Sequence, residues 1–314
     1  MTAAAAPEVA RDIRVVDLME RGMPHVTAGY FVAASRPVIV DTGGVPSVPV
    51  WLDALAAFGV RPQDVAYLVV THIHLDHAAG VGHMLAHTPD ARVVVHPRGA
   101  RHLIDPSRLI TGARAVFGDH LEEYFGVPAP VPESRVLIVE DGETLDLGDG
   151  HVLQFIDAPG HARHQHMVYD AGARALLSGD ELGERLPDIA DDYVMPDTAP
   201  NQFDPDAMLR SAARLRDLRP EAVLFSHFGR YPASYGALAD RLIQEVPAVA
   251  ALGLINGRRA TPEEITSALI AHVRHDLAQR AIPWTPRIRG LLEERLAISA
   301  QGIADYYERR AAAT

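Results

Sequence analysis

The sequence predicts an α/β fold, either one large αββα-type domain or two smaller ones, with a helical C-terminal extension. Short apolar, β-branched runs alternate with helical segments over most of the chain, as in sheets covered by helices. Beyond Tyr231 the pattern turns helical. With 314 residues, of which 48% are hydrophobic, the chain can bury a large core. We therefore expect residues 1–231 to form the layered domain and residues 232–314 the helical extension.

The first elements are delimited by turn residues. Apolar runs at Ile13–Val16 and Tyr30–Val40 predict strands, and the second run ends in the turn Asp41-Thr42-Gly43-Gly44. Val50–Phe58 has the apolar spacing of a helix and stops at a glycine, which commonly ends helices. Residues 65–70 form a fully apolar strand that leads directly into a group of histidines.

The middle of the chain continues the alternation. Gly80–His87 predicts a helix and Ala91–Val95 a buried strand. Residues 100–132 have mixed polarity and several prolines, which predicts a helical surface insertion, and a lid role for it is left open. Further apolar runs predict strands at Arg135–Val139, His151–Ile156, Met167–Tyr169, Ala175–Leu177 and Ala222–Phe225.

The helices of the second half carry start signals. Asp204-Pro205 combines an N-cap acid with a proline in the first turn, which predicts a helix to about Leu218. Thr261 and Glu264 have the spacing of a capping box. Pro286–Arg310 predicts one more long helix.

Charge and composition exclude several classes of protein. A formal net charge of −12 would repel nucleic acid and anionic membranes, so neither is expected as a partner. The absence of cysteine rules out thiolate ligands and disulfides. Residues 1–10 lack the basic segment of a signal peptide, and no apolar stretch is long enough for a membrane helix. We expect a cytoplasmic protein with a small-molecule substrate; a homodimer is left open.

The segment Thr71–His77 concentrates metal-binding chemistry. It places His72, His74, Asp76 and His77 immediately after the apolar strand. Alternation at a strand end puts the first two histidines on one side, and the following turn can direct Asp76 and His77 to a second point. The alternative, a polar loop of solvated histidines, explains neither this density nor the matching residues downstream. The spacing therefore predicts two neighbouring metal positions.

This motif, HxHxDH, resembles that of the metallo-β-lactamase-fold superfamily, whose members add three more ligands at strand ends. The resemblance covers roughly Ile13–Tyr231 and implies a four-layer αββα sandwich. It implies seven ligands: His72, His74 and His161 for a first metal, Asp76, His77 and His227 for a second, and Asp180 bridging both.

The resemblance and the ligand chemistry together predict a dinuclear metal-dependent hydrolase. A hydroxide bridging two divalent ions would attack the carbonyl of a small ester, thioester or lactone. Asp76 is a candidate to orient that hydroxide, and His164, close to His161, is a candidate proton donor. Zinc is the expected metal, with iron or manganese as alternatives.

Other activities of the same fold stay open. The helical extension is similar to that of glyoxalase II enzymes, which favours a thioester. Lactonases of the superfamily carry a tyrosine near the bridging aspartate, whereas Glu181, Leu182 and Gly183 follow Asp180 here. A phosphodiester hydrolase and a non-haem di-iron redox protein are the remaining alternatives.

The remaining polar candidates are predicted to be structural. His96 follows a buried strand, Tyr193 lies in a loop where packing is expected, and His166 is expected to support the site or the core. Eight histidines without ligand spacing are expected at the surface or at helix caps: His25, His83, His87, His102, His120, His151, His272 and His275.

Overall fold

The computed structural model describes residues 6–313 and contains two mixed β-sheets with helices. The first sheet follows chain order: β1 (Glu8–Ala10), β2 (Ile13–Asp17), β3 (Ala28–Val32), β4 (Val38–Val40), β5 (Tyr67–Val69), β6 (Arg92–Val95) and β7 (Val136–Ile138). Strands β1 to β4 pair antiparallel, and β4 to β7 pair parallel. Residues 1–5, part of the segment for which no signal peptide is expected, lie outside the described residues.

The second sheet has the order β15-β14-β11-β10-β9-β8. Its strands are β8 (Thr144–Gly148), β9 (His151–Asp157), β10 (His166–Asp170), β11 (Ala175–Leu177), β14 (Ala222–Phe225) and β15 (Gly229–Arg230). Only β11 and β14 pair parallel within it. Two short hairpins complete the strands: β12 (Glu184–Arg185) with β13 (Val194–Met195), and β16 (Leu254–Ile255) with β17 (Arg258–Arg259).

Helices occupy both halves of the chain. They are α1 (Val48–Phe58), α2 (Leu75–Ala78), α3 (Val81–Met84), α4 (Pro97–Ile104), α5 (Ser107–Phe117), α6 (Leu121–Phe125), α7 (Pro205–Leu218), α8 (Tyr235–Ala251), α9 (Pro262–Gln279) and α10 (Pro286–Ala313). Across residues 6–313, no helix is long and apolar enough to cross a membrane.

Backbone contacts divide the chain into two compact units. The first consists of the described residues up to Asp157 with His164–Gly179 and Pro220–Tyr231, and the second of Ala158–Arg163, Asp180–Arg219 and residues from Pro232 onwards. The first unit contains both sheets and α1–α6; the second contains the two short hairpins and α7–α10. The boundary at Tyr231 between a layered domain and a helical extension stays a prediction.

The first unit is built on strands that are buried on both faces. Val38 and Val40 of β4 pack between the two sheets, whereas Ile39 between them packs on the opposite face with α1. The same alternation occurs at Val93 and Val94 of β6. Because successive side chains point to opposite faces, strands covered on both sides have continuous apolar sequences. This explains why the short apolar runs were recognisable as strands.

The prediction of one strand over Tyr30–Val40 was wrong, because the run contains a reversal. Strand β3 ends at Val32 and β4 begins at Val38. In the connecting loop the Ser35 hydroxyl donates to Asp149 at 2.7 Å, and the Arg36 amide donates to the Leu147 carbonyl at 2.9 Å. These hydrogen bonds stabilise a turn inside a segment that looks uniformly extended in sequence.

The segment predicted to be a helical insertion contains α5, α6 and most of α4. Leu121 and Phe125 of α6 form a small apolar cluster with Leu75 and Ala79, which flank the motif residues Asp76 and His77. The insertion therefore supports the short helix α2. A lid role for it stays open.

The predicted helix caps of the second unit are confirmed. The Asp204 carboxylate accepts from the Ala207 amide at 3.0 Å, and Thr261 and Glu264 form the complete capping box. The hairpin β16–β17 was not anticipated.

Tyr193, for which packing was expected, is 1% exposed. The guanidinium groups of Arg241 and Arg280 lie 5.3 Å and 5.4 Å from its ring centroid.

Two histidines have structural partners. The side chain of His96 accepts from the Arg98 amide and so caps α4, in line with its structural interpretation. His151 was expected at the surface, and this was wrong, because it is fully buried. Its Nδ1 lies 2.6 Å from Asp170 and its Nε2 3.3 Å from Asp12, so two carboxylates distant in sequence stabilise the ring inside the unit.

Candidate metal centre

The HxHxDH segment begins where the central parallel strand β5 ends. Val40 of β4 is in register with Val69 of β5, so the residues that follow these two strands meet at the same edge of the sheet. His72 and His74 lie in the loop after β5, and His74 precedes the first turn of α2. Asp76 and His77 lie on α2 itself. The change from loop to helix separates the first two side chains from the last two.

The other candidate ligands also follow strands. His161 comes shortly after β9, Asp180 after β11 and His227 after β14. All three are nearly buried, with exposed fractions of 2%, 2% and 7%.

The structure brings all seven candidate ligands together. Their donor atoms form two groups, each with all atoms within 4.8 Å of one another: His72, His74, His161 and Asp180 in the first, and Asp76, His77, Asp180 and His227 in the second. Asp180 is a member of both. This is the division that the resemblance implied.

The spacing of the donor atoms fits metal coordination. Nε2 of His72 lies 3.0 Å from Nδ1 of His74, and Nε2 of His161 lies 3.6 Å from Oδ2 of Asp180. In the second group, Oδ2 of Asp76 is 3.2 Å from Nε2 of both His77 and His227. Ligands on a tetrahedral ion with bonds of about 2.05 Å are about 3.3 Å apart. Imidazole nitrogens and carboxylate oxygens at these separations suit two divalent cations.

Asp41 supports the second group through hydrogen bonds. Its buried carboxylate accepts from the Thr71 amide at 2.8 Å, the Thr71 hydroxyl at 3.0 Å and the Ser226 hydroxyl at 2.8 Å. Nδ1 of His77 is 3.1 Å from the same carboxylate, so this nitrogen carries the proton, which leaves Nε2 as the candidate ligand atom. Asp41 thereby connects the segments that carry His72, His77 and His227.

His161 and His227 are oriented in the same way. Nδ1 of His161 lies 3.4 Å from Oδ2 of Asp197, and Nδ1 of His227 donates to the Val26 carbonyl at 2.7 Å. In both rings the outer nitrogen is engaged, which directs Nε2 towards the candidate metal positions.

Burial and hydrogen bonding set the charge of the acidic groups. Burial by itself would raise the pKa of the Asp76 carboxyl, but His77 and His227 beside it hold that pKa well below its usual range. Asp76 is therefore ionised and able to bind a cation. Burial raises the pKa of the Glu181 carboxyl to about 7, opposed by hydrogen bonds from Ser211 and from the His161 backbone.

His164, the candidate proton donor, lies against the first group. Its ring is parallel to that of His72, with centroids 6.1 Å apart, and edge-on to that of His74 at 5.3 Å. The Ile73 amide donates to Nδ1 of His164 at 3.5 Å, so a neutral ring carries its proton on Nε2. His166 points into the core instead, where it contacts Phe155, and burial lowers its pKa to about 3.

Comparison with known families decides the assignment of the chain. The family model of the metallo-beta-lactamase superfamily matches residues 22–227. The chain belongs to the metallo-β-lactamase superfamily. The predicted fold class is thereby confirmed, with two mixed sheets and C-terminal helices.

Several members of the superfamily are similar to this chain. The archaeal protein ST1585 of Sulfurisphaera tokodaii is 28% identical over 209 residues, which cover 66% of this chain and 74% of that protein. Its crystal structure superposes with a TM-score of 0.68 at 22% identity, over 95% of this chain and 99% of that chain. The protein TTHA1429 of Thermus thermophilus gives a TM-score of 0.69 at 22% identity, covering 97% and 96%. These structures share the fold.

Two relatives with named activities match only in part. The acyl-coenzyme A thioesterase MBLAC2 of Gallus gallus is 29% identical over 163 residues, 47% of this chain and 54% of that protein. The anaerobic nitric oxide reductase flavorubredoxin of Salmonella typhi is 28% identical over 160 residues, 51% of this chain and 29% of that protein. The likeness to flavorubredoxin is therefore distant and confined to one part of it.

Three carboxylates around the ligands were missed in the sequence: Asp41, Asp197 and Glu181. Asp41 gave the clearest signal, since an acid directly after an apolar parallel strand lies at the same sheet edge as the HxHxDH motif. Asp197 and Glu181 act through contacts between loops, which no local pattern reveals.

Proposed function

We propose that this chain is a dinuclear metal-dependent hydrolase that cleaves a small ester, thioester or lactone. The observation that carries the proposal is the pair of four-residue groups joined by Asp180. Outer hydrogen bonds to His77, His161 and His227 support it, because metal-binding histidines are commonly oriented through their second nitrogen.

The donor set favours zinc. Five imidazoles and two carboxylates make it rich in nitrogen, and the sequence has no cysteine. Zinc is commonly bound by histidine with one or two carboxylates. Iron and manganese also accept these ligands, so metal analysis must distinguish them.

The residues around the ions have separate tasks. When bound, the two cations would lower the pKa of a water molecule and polarise a carbonyl oxygen. Asp76, ionised and 23% exposed, can both bind the second cation and accept a hydrogen bond from the attacking water. His164, whose Nδ1 accepts from the Ile73 amide, would donate a proton from Nε2 to the leaving group.

Replacing His164 by alanine tests this role. We expect turnover of the best ester or thioester to fall by about a hundredfold, which is typical of the loss of a proton donor. Zinc content per chain is expected to stay at the wild-type value, because His164 is in neither ligand group. Steady-state kinetics and elemental analysis of the same sample make the comparison.

His166→Leu is the matched control. It removes a second imidazole two residues further along the chain, one that packs on Phe155 in the core. We expect it to keep wild-type turnover. If His164→Ala retains the wild-type rate, or if both variants lose activity equally, His164 has no role in proton transfer.

The substrate class is tested with a panel. The partial match to an acyl-coenzyme A thioesterase supports a thioester first, with an aryl ester, a lactone and a phosphodiester as comparison substrates. Zinc-dependent cleavage of a carbonyl substrate supports the proposal, whereas cleavage of the phosphodiester alone would replace it with the phosphodiesterase alternative.

The partial match to flavorubredoxin favours one second candidate, a di-iron redox centre. It predicts about two irons per chain after purification and oxygen or nitric oxide consumption with an added reductant. A protein that is isolated with zinc and is inactive with iron would exclude this candidate.

A further inference from the structure

We propose that Glu181 is a positioning residue of the metal centre, whose carboxylate fixes the backbone of His161 relative to Asp180. The inference rests on the proposed metal centre and assigns one of its supporting groups.

Glu181 binds the backbone of the loop that carries His161. Its Oε2 accepts from the Gly160 amide at 2.9 Å and from the His161 amide at 2.9 Å. Its Oε1 accepts from the Ser211 hydroxyl of α7 at 2.6 Å. The side chain is fully buried, so these hydrogen bonds are shielded from competing water.

Glu181 is also tied to Asp180 through a tight turn. The Gly183 amide donates to the Asp180 carbonyl at 2.9 Å, which closes the turn over Asp180–Gly183. Gly183 has φ of 87°, and a Cβ atom there would lie 2.2 Å from the Met195 carbonyl oxygen, so this turn requires glycine. The turn therefore fixes the backbone of Glu181 relative to that of Asp180.

The space around Gly160 is too small for a side chain. A Cβ atom at this position would lie 2.6 Å from Oε1 of Glu181 and 2.5 Å from the Met208 amide nitrogen. The Asp204 amide donates to the Gly160 carbonyl at 2.7 Å. The backbone nitrogen of Gly160 is thus hydrogen-bonded to Glu181, and its backbone oxygen to the start of α7.

These contacts act on two ligands of the first group. His161 receives its backbone position from Glu181 and its ring orientation from Asp197, and Asp180 lies in the same turn as Glu181. A shift of this loop would change the 3.6 Å separation between Nε2 of His161 and Oδ2 of Asp180. We therefore expect Glu181 to affect metal binding, independently of any bound substrate.

The test is a zinc competition titration of the full chain with a chromophoric chelator. Glu181→Met keeps the length of the side chain and removes both acceptor oxygens, so we expect the affinity for one zinc ion to fall about 10–100-fold. In Glu181→Gln, the side-chain oxygen can still accept from the amides of Gly160 and His161. Its NH2 group can donate to the Ser211 hydroxyl. We expect it to bind both zinc ions nearly as the wild type does.

Glu184→Met is the matched control. It removes a nearby buried carboxylate that pairs with Arg295 at 2.8 Å and is in neither ligand group. Unfolding temperatures of the metal-free proteins show how much each variant loses in stability. We expect Glu184→Met to lose stability and keep wild-type zinc affinity.

The outcomes separate this inference from the proposed function. Wild-type zinc affinity in Glu181→Met, or an equal loss in Glu181→Gln or Glu184→Met, would overturn the role of Glu181 alone. A wild-type chain that binds no zinc would remove the proposed metal centre and this inference with it. If Glu181→Met does not fold, Glu181→Asp, which is too short to reach both amides, is expected to show the same loss.

Discussion

Replacing Asp180 by alanine is expected to lower hydrolysis by at least about a thousandfold, since a metal ion supplies several kcal/mol of transition-state stabilisation and each 1.4 kcal/mol is a factor of ten. Asp180 belongs to both ligand groups, so its loss weakens both positions at once. Zinc content should fall below the wild-type value. Turnover and elemental analysis of the same preparation measure both effects.

Asp188→Ala provides the comparison for Asp180→Ala. It removes an acid of the same region that pairs with Arg287 at 2.6 Å and lies in neither ligand group. We expect wild-type turnover and metal content from it. His74→Ala, which removes a ligand of the first group, should resemble Asp180→Ala. Wild-type turnover in either ligand variant would exclude the two-metal centre.

Replacing Asp41 by asparagine should have the second largest effect. The carboxylate faces hydrogen-bond donors from Thr71, His77 and Ser226, and an asparagine amide group would set its own N–H against one of them. We expect zinc affinity to fall about 10–100-fold. The free energy of unfolding should fall by about 1–3 kcal/mol, the cost of an unsatisfied buried group.

Ser226→Ala is the control for Asp41→Asn, because it removes one donor and leaves the carboxylate. Its loss of zinc affinity should be much the smaller of the two. Zinc titration and denaturant unfolding of the metal-free proteins distinguish an effect on the ligands from a general loss of stability. Equal zinc affinity in Asp41→Asn and the wild type would show that Asp41 stabilises the fold only.

The sequence predicted those features that depend on neighbouring residues. The strand before His72 was recognisable because burial on both faces requires a continuous apolar run. The HxHxDH motif was recognisable because its candidate ligands are close together in sequence. The caps at Asp204 and Thr261 were recognisable because a cap is a local hydrogen bond.

The features that were missed depend on long-range contacts. The turn inside Tyr30–Val40 is held partly by the Leu147 carbonyl, and His151 is buried by pairing with Asp170 and Asp12. Likewise, Glu181 reaches a loop about twenty residues earlier in the chain, at Gly160. Such partners are fixed by the packing of the whole unit, and no pattern of adjacent residues encodes them.

The most direct test of the two-metal hydrolase is the metal content of the purified wild-type protein. Plasma mass spectrometry quantifies zinc, iron, manganese and cobalt per chain in one measurement. We predict about two zinc ions per chain, as expected for a dinuclear hydrolase centre. A chain with close to zero metal that also binds none when zinc is added would contradict the central claim.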